Sequence, residues 1–225
     1  MNVIHRLNLS ATFEVFDLVA VFLFASTGAL EAIRKKYDFI GVLILAFVSG
    51  IGGGLIRDAV FIQNGPPLAV RDAKYLIVIL AAFGLSMLFH GPLGKMKKTT
   101  IIVDALGLGT YGVVGAHAAL RAELVPLAAI MVGVFNAVGA GLIRDVLIRE
   151  EPMIFKPGQF YAGAAIAGCI IFVSLVFVWE IDDGYAAMIA IVFTFFLRIL
   201  SILFDWRTKA ILKNEPDSSQ MTKGN

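Results

Sequence analysis

The chain has 225 residues, of which 59% are hydrophobic and 16% charged, with a formal charge of +2 and a mean hydropathy of +0.85. Because a soluble domain carries about 25% charged residues, this composition excludes an ordinary soluble fold and indicates a membrane protein. No basic stretch is interleaved with aromatic residues, so we expect no nucleic-acid partner. Cys169 is the only cysteine, which excludes a disulfide framework.

Seven apolar stretches are long enough to cross a bilayer, since about 20 residues of helix cover its hydrocarbon core. They are spans 1 to 7, at residues 14–33, 39–61, 75–94, 100–120, 125–148, 160–180 and 185–204. No segment alternates with the two-residue period of a β-barrel strand. The sequence therefore predicts an all-α integral membrane protein with seven transmembrane helices, an N-terminal segment at 1–13 and a polar tail at 205–225.

The chain also repeats itself. When it is shifted by 87 residues, residues 52–58 fall on residues 139–145, and six of those seven positions are identical. The same shift pairs Asp17 with Asp104, Gly28 with Gly115, Ala32 with Ala119 and Arg34 with Arg121. We predict a first three-helix repeat at 14–94, a second at 95–180 and an extra seventh helix at 181–204. An odd number of spans makes the second copy enter from the opposite face, and such inverted repeats place a permeation path near the midplane.

The basic residues of alternate loops are unequally distributed. One side carries Arg34, Lys35, Lys36, Lys95, Lys97, Lys98, Arg149, Lys156, Arg207, Lys209 and Lys213, and the other carries Arg6, Arg71, Lys74 and Arg121. The positive-inside rule then predicts an inner-membrane protein with its N-terminus outside and its C-terminus in the cytoplasm. The clusters at 34–36 and 95–98 either bind anionic membrane lipids or act only as topology determinants.

Two glycine clusters lie inside spans 2 and 5: Gly52, Gly53 and Gly54 in the first repeat, and Gly139 and Gly141 in the second. Glycine lets neighbouring backbones approach and weakens a helix. One interpretation is tight helix packing. The other is a pair of helix breaks beside a pore, where freed carbonyls face protein or water. The two interpretations are compatible, and we expect the clusters to meet.

Charged pairs follow both glycine clusters by one turn, Arg57-Asp58 in the first repeat and Arg144-Asp145 in the second. Each charge at membrane depth costs at least about 2.5–3.5 kcal/mol, so it normally faces a partner or water. The inverted topology predicts pairing of Asp17 with Arg57 at one face and of Asp104 with Arg144 at the other. These pairs either lock helices together or line the two mouths of one pathway.

Ser49 and Asn136 also align, just before the glycines. Such a polar side chain either coordinates a dehydrated ion or forms an interhelical hydrogen bond. The three histidines lie far apart in sequence, so we expect no metal site. No arrangement of side chains for catalysis stands out, and we expect neither enzymatic activity nor a cofactor.

The doubled motif resembles a known family. Two copies of Gly-Gly/Ala-Gly-Leu-Ile-Arg-Asp, each followed by a proline-containing loop at 65–67 or 151–153, are similar to those of prokaryotic relatives of the trimeric intracellular cation channels, the TRIC family. The duplicated unit is also named a glycine-transporter domain. The resemblance extends over about residues 13–205. Ala140 departs from the pattern by replacing the middle glycine of the second cluster.

The resemblance implies a homotrimer in which each protomer has its own pathway for monovalent cations, chiefly potassium, with sodium left open. The helices of spans 2 and 5, kinked at the glycines, would border that pathway. Two classes of function remain: a channel, and an alternating-access transporter of a small solute such as glycine. The small size of the chain favours the channel.

Overall fold

The computed structural model describes residues 3–63, 65–89, 93–156 and 160–206, of which residues 3–10 and 93–96 are described by their backbone alone. The described residues form helices and no strand, which confirms the all-α prediction. We number the seven long helices, listed in chain order at the end of this sentence: α1 Val3–Arg34, α2 Phe39–Ile56, α3 Ala73–Phe89, α4 Leu93–Arg121, α5 Pro126–Leu147, α6 Tyr161–Phe177 and α7 Asp183–Leu203.

Five of these helices are long and apolar enough to cross a membrane: α1, α2 with its continuation to residue 62, α4, α5 and α7. The third helix of each repeat is shorter. Helices α3 and α6 have 17 residues each, about 25 Å at the rise of an α-helix. The chain is therefore a multi-pass membrane protein, and the count of seven spans stays a prediction.

Two helices begin earlier than their apolar stretches. Helix α1 starts at Val3 rather than at residue 14, and α4 starts at Leu93 rather than at residue 100. Hydropathy marks where a helix can lie in lipid, whereas the helix itself continues into polar sequence. The predicted tail beyond residue 206 and the side chain of Lys95 lie outside the described residues.

The repeat is visible in the turns as well as in the helices. Lys36 and Glu123, which the 87-residue shift pairs, both adopt left-handed backbone, with φ of 62° and 61°. Each ends the turn that joins the first helix of its repeat to the second. The same local conformation thus recurs although a lysine is replaced by a glutamate.

The helices of the two repeats also pack in corresponding ways. Helix α1 packs against α2 and α3, and α4 packs against α5 and α6 in the same way; α1 and α2 then contact α4 and α5 across the repeats. The aligned residues Phe24 and Tyr111 stack with ring centroids 5.2 Å apart where α1 meets α4. Helix α7 packs chiefly on α4 and α6 and has no counterpart in the first repeat.

The glycine clusters meet where α2 crosses α5. A β-carbon on Gly53 would overlap the carbonyl oxygen of Asn136, and one on Gly139 would lie 2.6 Å from Ile56 Cδ1. The predicted helix breaks at the glycines are wrong, because the α-helical pattern continues through both clusters. Close packing supports the backbone there, and an intact helix satisfies its own hydrogen bonds in lipid. The helical geometry changes only at the next turn of α2, where Arg57–Ile62 is a π-helix.

Candidate functional site

The first charge cluster, which we call the Asp17 cluster, joins α1, α2 and α3. Arg57 is 2% exposed, and its Nη1 donates to Asp17 Oδ1 at 3.3 Å while its Nε donates to Asp58 Oδ1 at 2.6 Å. Tyr75 donates its hydroxyl to Asp17 Oδ2 at 2.6 Å. The predicted pairing of Asp17 with Arg57 is therefore present.

The second cluster, the Asp104 cluster, repeats this arrangement with α4 and α5. Arg144 is 3% exposed; its Nη1 donates to Asp104 Oδ1 and its Nε to Asp145 Oδ1, both at 3.0 Å. The same Nη1 donates to Thr27 Oγ1 at 3.0 Å, which ties the second repeat to α1 of the first. The predicted pairing of Asp104 with Arg144 is also present.

The second aspartate of each motif has a role that the sequence analysis did not assign. Asp58 Oδ2 accepts the backbone N–H of Leu68 at 3.0 Å, and Asp145 Oδ2 accepts that of Met153 at 3.1 Å. Each carboxylate thus holds both the arginine of its motif and the following proline-containing loop, and Asp58 accepts from Arg57 with both of its oxygens. This explains why the Arg-Asp pair and the loop recur together.

The positions of the clusters along the helices show that the repeats are inverted. Following α1 from Asp17 to Thr27 leads from one cluster to the other, over about 15 Å at 1.5 Å per residue. Following α4 from Asp104 leads the opposite way, to His117 beside the Asp17 cluster. Helices α1 and α4 therefore run antiparallel past each other, as inverted repeats require.

Two cavities open from opposite ends onto these clusters. The Asp17 cavity has a volume of about 600 Å³ and is lined by Asp17, Arg57 and Tyr75 together with residues of the loop after α2. The Asp104 cavity has about 270 Å³ and is lined by Asp104 and Arg144. Each cavity thus ends on a buried arginine.

A buried layer separates the two cavities. Phe24 and Tyr111 are fully buried, and the Tyr111 hydroxyl donates to the Gly50 carbonyl. Asn136 Nδ2 donates to the Tyr111 carbonyl at 2.6 Å, whereas its Oδ1 and Ser49 Oγ are buried and have no hydrogen-bond partner in the part of the chain that the structure describes. We call this group the central layer. It lies between the clusters because Phe24 lies between Asp17 and Thr27 on α1.

The third glycine of each motif faces the arginine of the same motif. A β-carbon on Gly54 would lie 3.8 Å from Arg57 Nη2, and one on Gly141 would lie 3.6 Å from Arg144 Nη2, both ordinary contacts. The β-carbon on Gly141 would also lie 3.1 Å from the Tyr161 hydroxyl of α6, which is a tight contact. The first two positions of the motif therefore pack α2 against α5, and the third leaves room for the guanidinium to fold back along its own helix.

Sequence reasoning missed two tyrosines. Tyr75 belongs to the Asp17 cluster, and Tyr161 lies near Asp104 in the other. They are 86 rather than 87 residues apart, because one loop is a residue shorter, so a constant shift does not align them. The detectable signal was a tyrosine at the start of the third span in both repeats.

An ion-pair network crosses between the repeats at the Asp104 end. Glu150 contacts Lys35 Nζ at 2.6 Å and Arg34 Nη2 at 3.3 Å, and Arg34 also pairs with Glu31. The hydrogen bond from Lys35 lowers the pKa of Glu150 below its ordinary value, and the charges of Lys35 and Arg34 act in the same direction, against the effect of burial. At the Asp17 end Gln63 aligns with Glu150, so the shift offers no acid there.

Among residues 3–63, 65–89, 93–156 and 160–206, no group of three or more histidine, cysteine, aspartate or glutamate side chains is placed to hold a metal ion. The fold and the site define a class: a multi-pass helical membrane protein of two inverted repeats, with a buried Asp–Arg cluster below a cavity at each end.

Comparison with known proteins identifies the family. The family model described as "Glycine transporter" matches residues 14–91 and again 101–177, one match for each three-helix repeat. A "UPF0126 membrane protein" of Deinococcus radiodurans is 39% identical over 153 residues, 68% of this chain and 71% of that protein. The "UPF0126 inner membrane protein YadS" of Escherichia coli K12 is 35% identical over 187 residues, 83% of this chain and 89% of that protein. The chain belongs to this family of membrane proteins.

Solved structures extend the relationship. A TRIC trimeric intracellular cation channel orthologue from Rhodobacter sphaeroides has a TM-score of 0.79 and 31% identity, covering 85% of this chain and 97% of its own. A second solved structure, described as "Structural basis for conductance through TRIC cation channels", has a TM-score of 0.79 and 28% identity. The match covers 91% of this chain and 99% of that chain. The predicted membership of the prokaryotic TRIC family is confirmed, and that family consists of membrane proteins and channels rather than enzymes.

Proposed function

We propose that this protein is a cation channel whose pathway joins the Asp17 and Asp104 cavities, bordered by α2 and α5. One observation carries the proposal: two cavities reach symmetry-related Asp–Arg clusters from opposite ends of inverted repeats. Its fold is that of proteins described as TRIC cation channels. Inverted repeats place permeation paths near the midplane, where the central layer lies.

The clusters suggest how cations are selected. Asp17 and Asp104 supply carboxylate oxygens at the floor of each cavity, which favour a cation over an anion. Arg57 and Arg144 hold these carboxylates when no ion is present, so a passing cation has to replace a guanidinium contact. Asp58 and Asp145 tether each arginine to its loop, which limits how far it moves.

The central layer is the proposed gate. Opening requires Phe24 and Tyr111 to separate, and the close crossing of Gly52 and Gly53 with Gly139 lets α2 and α5 slide without side-chain collisions. The unsatisfied oxygens of Ser49 and Asn136 would then contact the partly dehydrated ion. Gly54 and Gly141 complete the pathway by leaving the arginines room to withdraw.

The finer features are also proposals. We propose potassium as the main permeant ion, no bound cofactor, and a homotrimer, in line with the trimeric description of the Rhodobacter sphaeroides orthologue. The distribution of Lys and Arg supports an extracytoplasmic Asp17 cavity and a cytoplasmic Asp104 cavity. Membrane lipids surround the trimer.

Reconstitution of the full chain in a planar bilayer tests the proposal. We expect discrete single-channel currents in potassium chloride, with a reversal potential in a salt gradient that follows the cation. Arg57→Met should alter the currents. A variant that folds and conducts as the wild type does would contradict a role of Arg57 in the pathway, and anion-selective currents would contradict cation selection.

A transporter of a small solute such as glycine is the alternative, favoured by the closed central layer and by the description of the family model. A solute carrier opens its two cavities in turn, so it never presents a continuous path. Saturable uptake of radiolabelled glycine into proteoliposomes, without unitary currents, would support this alternative over the channel.

A further inference from the structure

Thr27 joins the Asp104 cluster to the first repeat through its hydroxyl group. The side chain is fully buried on α1, and Arg144 Nη1 donates to its Oγ1 at 3.0 Å. The Thr27 hydroxyl in turn donates to the carbonyl oxygen of Phe24 at 2.8 Å. Since a hydroxyl has one proton, that proton is used for Phe24, and the oxygen accepts from the guanidinium. The hydrogen bonds therefore form a chain from Arg144 to the backbone of the central layer.

A single nitrogen atom of Arg144 connects two helices. Its Nη1 donates to Asp104 Oδ1 of α4 and to Thr27 Oγ1 of α1, both at 3.0 Å. Nearly one turn earlier on α1, Phe24 stacks on Tyr111 of α4 across the same contact between helices. Arg144 thus clamps α1 to α4 beside the stacked rings.

The Asp17 end is built differently at this position. The 87-residue shift pairs Thr27 with Val114, which is buried, lines the Asp17 cavity and carries no hydroxyl group. Arg57 donates instead to Asp17 and Asp58, which both belong to its own repeat. The arginine clamp between the repeats is therefore a feature of the Asp104 end, and it depends on one hydroxyl group rather than on an additional charge.

We propose that Thr27 is a positioning residue that favours the closed pathway by holding Arg144 between α1 and α4, an inference that rests on the proposed channel function. Opening separates Phe24 from Tyr111, which requires α1 and α4 to move apart at this level. That movement breaks one of the two hydrogen bonds of Arg144 Nη1. Without the Thr27 hydroxyl, Arg144 keeps its bonds within the second repeat while α1 moves, so opening costs less.

The test is the ratio of open to closed time in single-channel recordings of the full-length protein, in a planar bilayer with symmetric potassium chloride. Thr27→Val replaces the hydroxyl by a methyl group of similar size. A hydrogen bond to a charged group shifts an equilibrium by about tenfold or more, so we expect the ratio to rise about tenfold, through shorter closed periods. Because Thr27 is fully buried, the cavity walls stay in place and the current of an open channel should not change.

Two further variants separate positioning from structure. Thr27→Ser keeps the hydroxyl and should keep the wild-type ratio. Thr194→Val is the matched control, because Thr194 is a buried threonine of α7 whose hydroxyl donates to the Ala190 carbonyl of its own helix at 2.7 Å. This substitution removes the same type of bond within a helix and should leave the ratio unchanged. If Thr27→Val does not raise the ratio, or if the other two variants raise it equally, the inference is wrong.

Thermal unfolding in detergent tests the contact without a current. Thr27→Val should lower the melting temperature of the otherwise wild-type protein and should have no further effect in an Arg144→Met background, where the donor is already absent. Equal effects in both backgrounds would overturn the inference while leaving the channel intact, because the hydroxyl would then act without Arg144. Absence of any cation current from the wild type would refute the proposed function itself.

Discussion

The two ends of this protein are built from the same motif but are closed to different degrees. At the Asp17 end, a cavity of about 600 Å³ leads to the cluster; at the Asp104 end, the cavity has about 270 Å³. Each end contains a buried arginine that is paired with two aspartates. What differs is the surrounding shell: Glu150, Thr27 and Arg198 of α7 lie at the Asp104 end. The repeated motif thus supplies the pair at both ends, and the residues around it set access.

The largest expected effect distinguishes the two arginines. Arg144→Met leaves Asp104 and Asp145 buried without their cation, and removal of one partner of a buried pair costs about 3–5 kcal/mol. Arg57→Met should cost less, because Tyr75 still donates to Asp17 and the wider cavity admits water. Thermal unfolding of both variants in the same detergent measures the difference; equal losses would show that the ends are equivalent in stability.

The glycine crossing should be next in size. Gly53→Ala places a β-carbon against the backbone oxygen of Asn136, which cannot move like a side chain, and overpacking of this kind costs about 1–3 kcal/mol. Gly84→Ala is the matched control, because nothing lies within 4 Å of the added carbon and alanine favours a helix. We expect Gly84→Ala to be neutral or stabilising in the same unfolding assay. A harmless Gly53→Ala would contradict close packing of α2 and α5.

The tyrosines give a comparison of similar size. Tyr75→Phe removes a hydrogen bond to the Asp17 carboxylate, and a hydrogen bond to a charged group contributes about 1.5–3 kcal/mol. Tyr161→Phe removes a hydroxyl that has no hydrogen-bond partner among the described residues, so its effect should be close to zero. Chemical denaturation of the two variants side by side measures this. Equal destabilisation would mean that Tyr161 bonds to Asp104 as Tyr75 does to Asp17.

The smallest effect concerns Glu150 and pH. Its pKa is lowered in the folded protein, so its ion pairs stabilise the fold above the ordinary glutamate pKa, and that stability is lost as the pH falls through the folded value. Because Glu150 is about one-third exposed, the contribution is at most about 1 kcal/mol. Glu150→Gln should flatten the pH dependence of unfolding between pH 6 and 3, roughly the range in which glutamate titrates. An unchanged slope would show that the Glu150 network does not stabilise the fold.

Much of the site was predictable because the repeat aligns it. The 87-residue shift places Asp17 opposite Asp104 and Arg57 opposite Arg144, and the topology then predicts both pairings, which the structure contains. The role of Asp58 and Asp145 in holding the loops was not predictable, since the hydrogen-bond acceptors of a loop depend on where its backbone folds. The helix breaks were predicted wrongly, because a glycine permits a bend but packing decides whether one forms.

Sequence alone determined the class of protein, the duplicated three-helix unit and its inversion, since hydropathy, a constant offset and an odd number of spans suffice for them. Tertiary structure alone decided the rest. It brought Tyr75 and Tyr161 into the clusters across a loop of different length, sealed the centre with Phe24 and Tyr111, and placed Arg198 beside Asp104. These contacts join residues far apart in the chain, so no local pattern encodes them, and they make the two halves of a repeated sequence unequal.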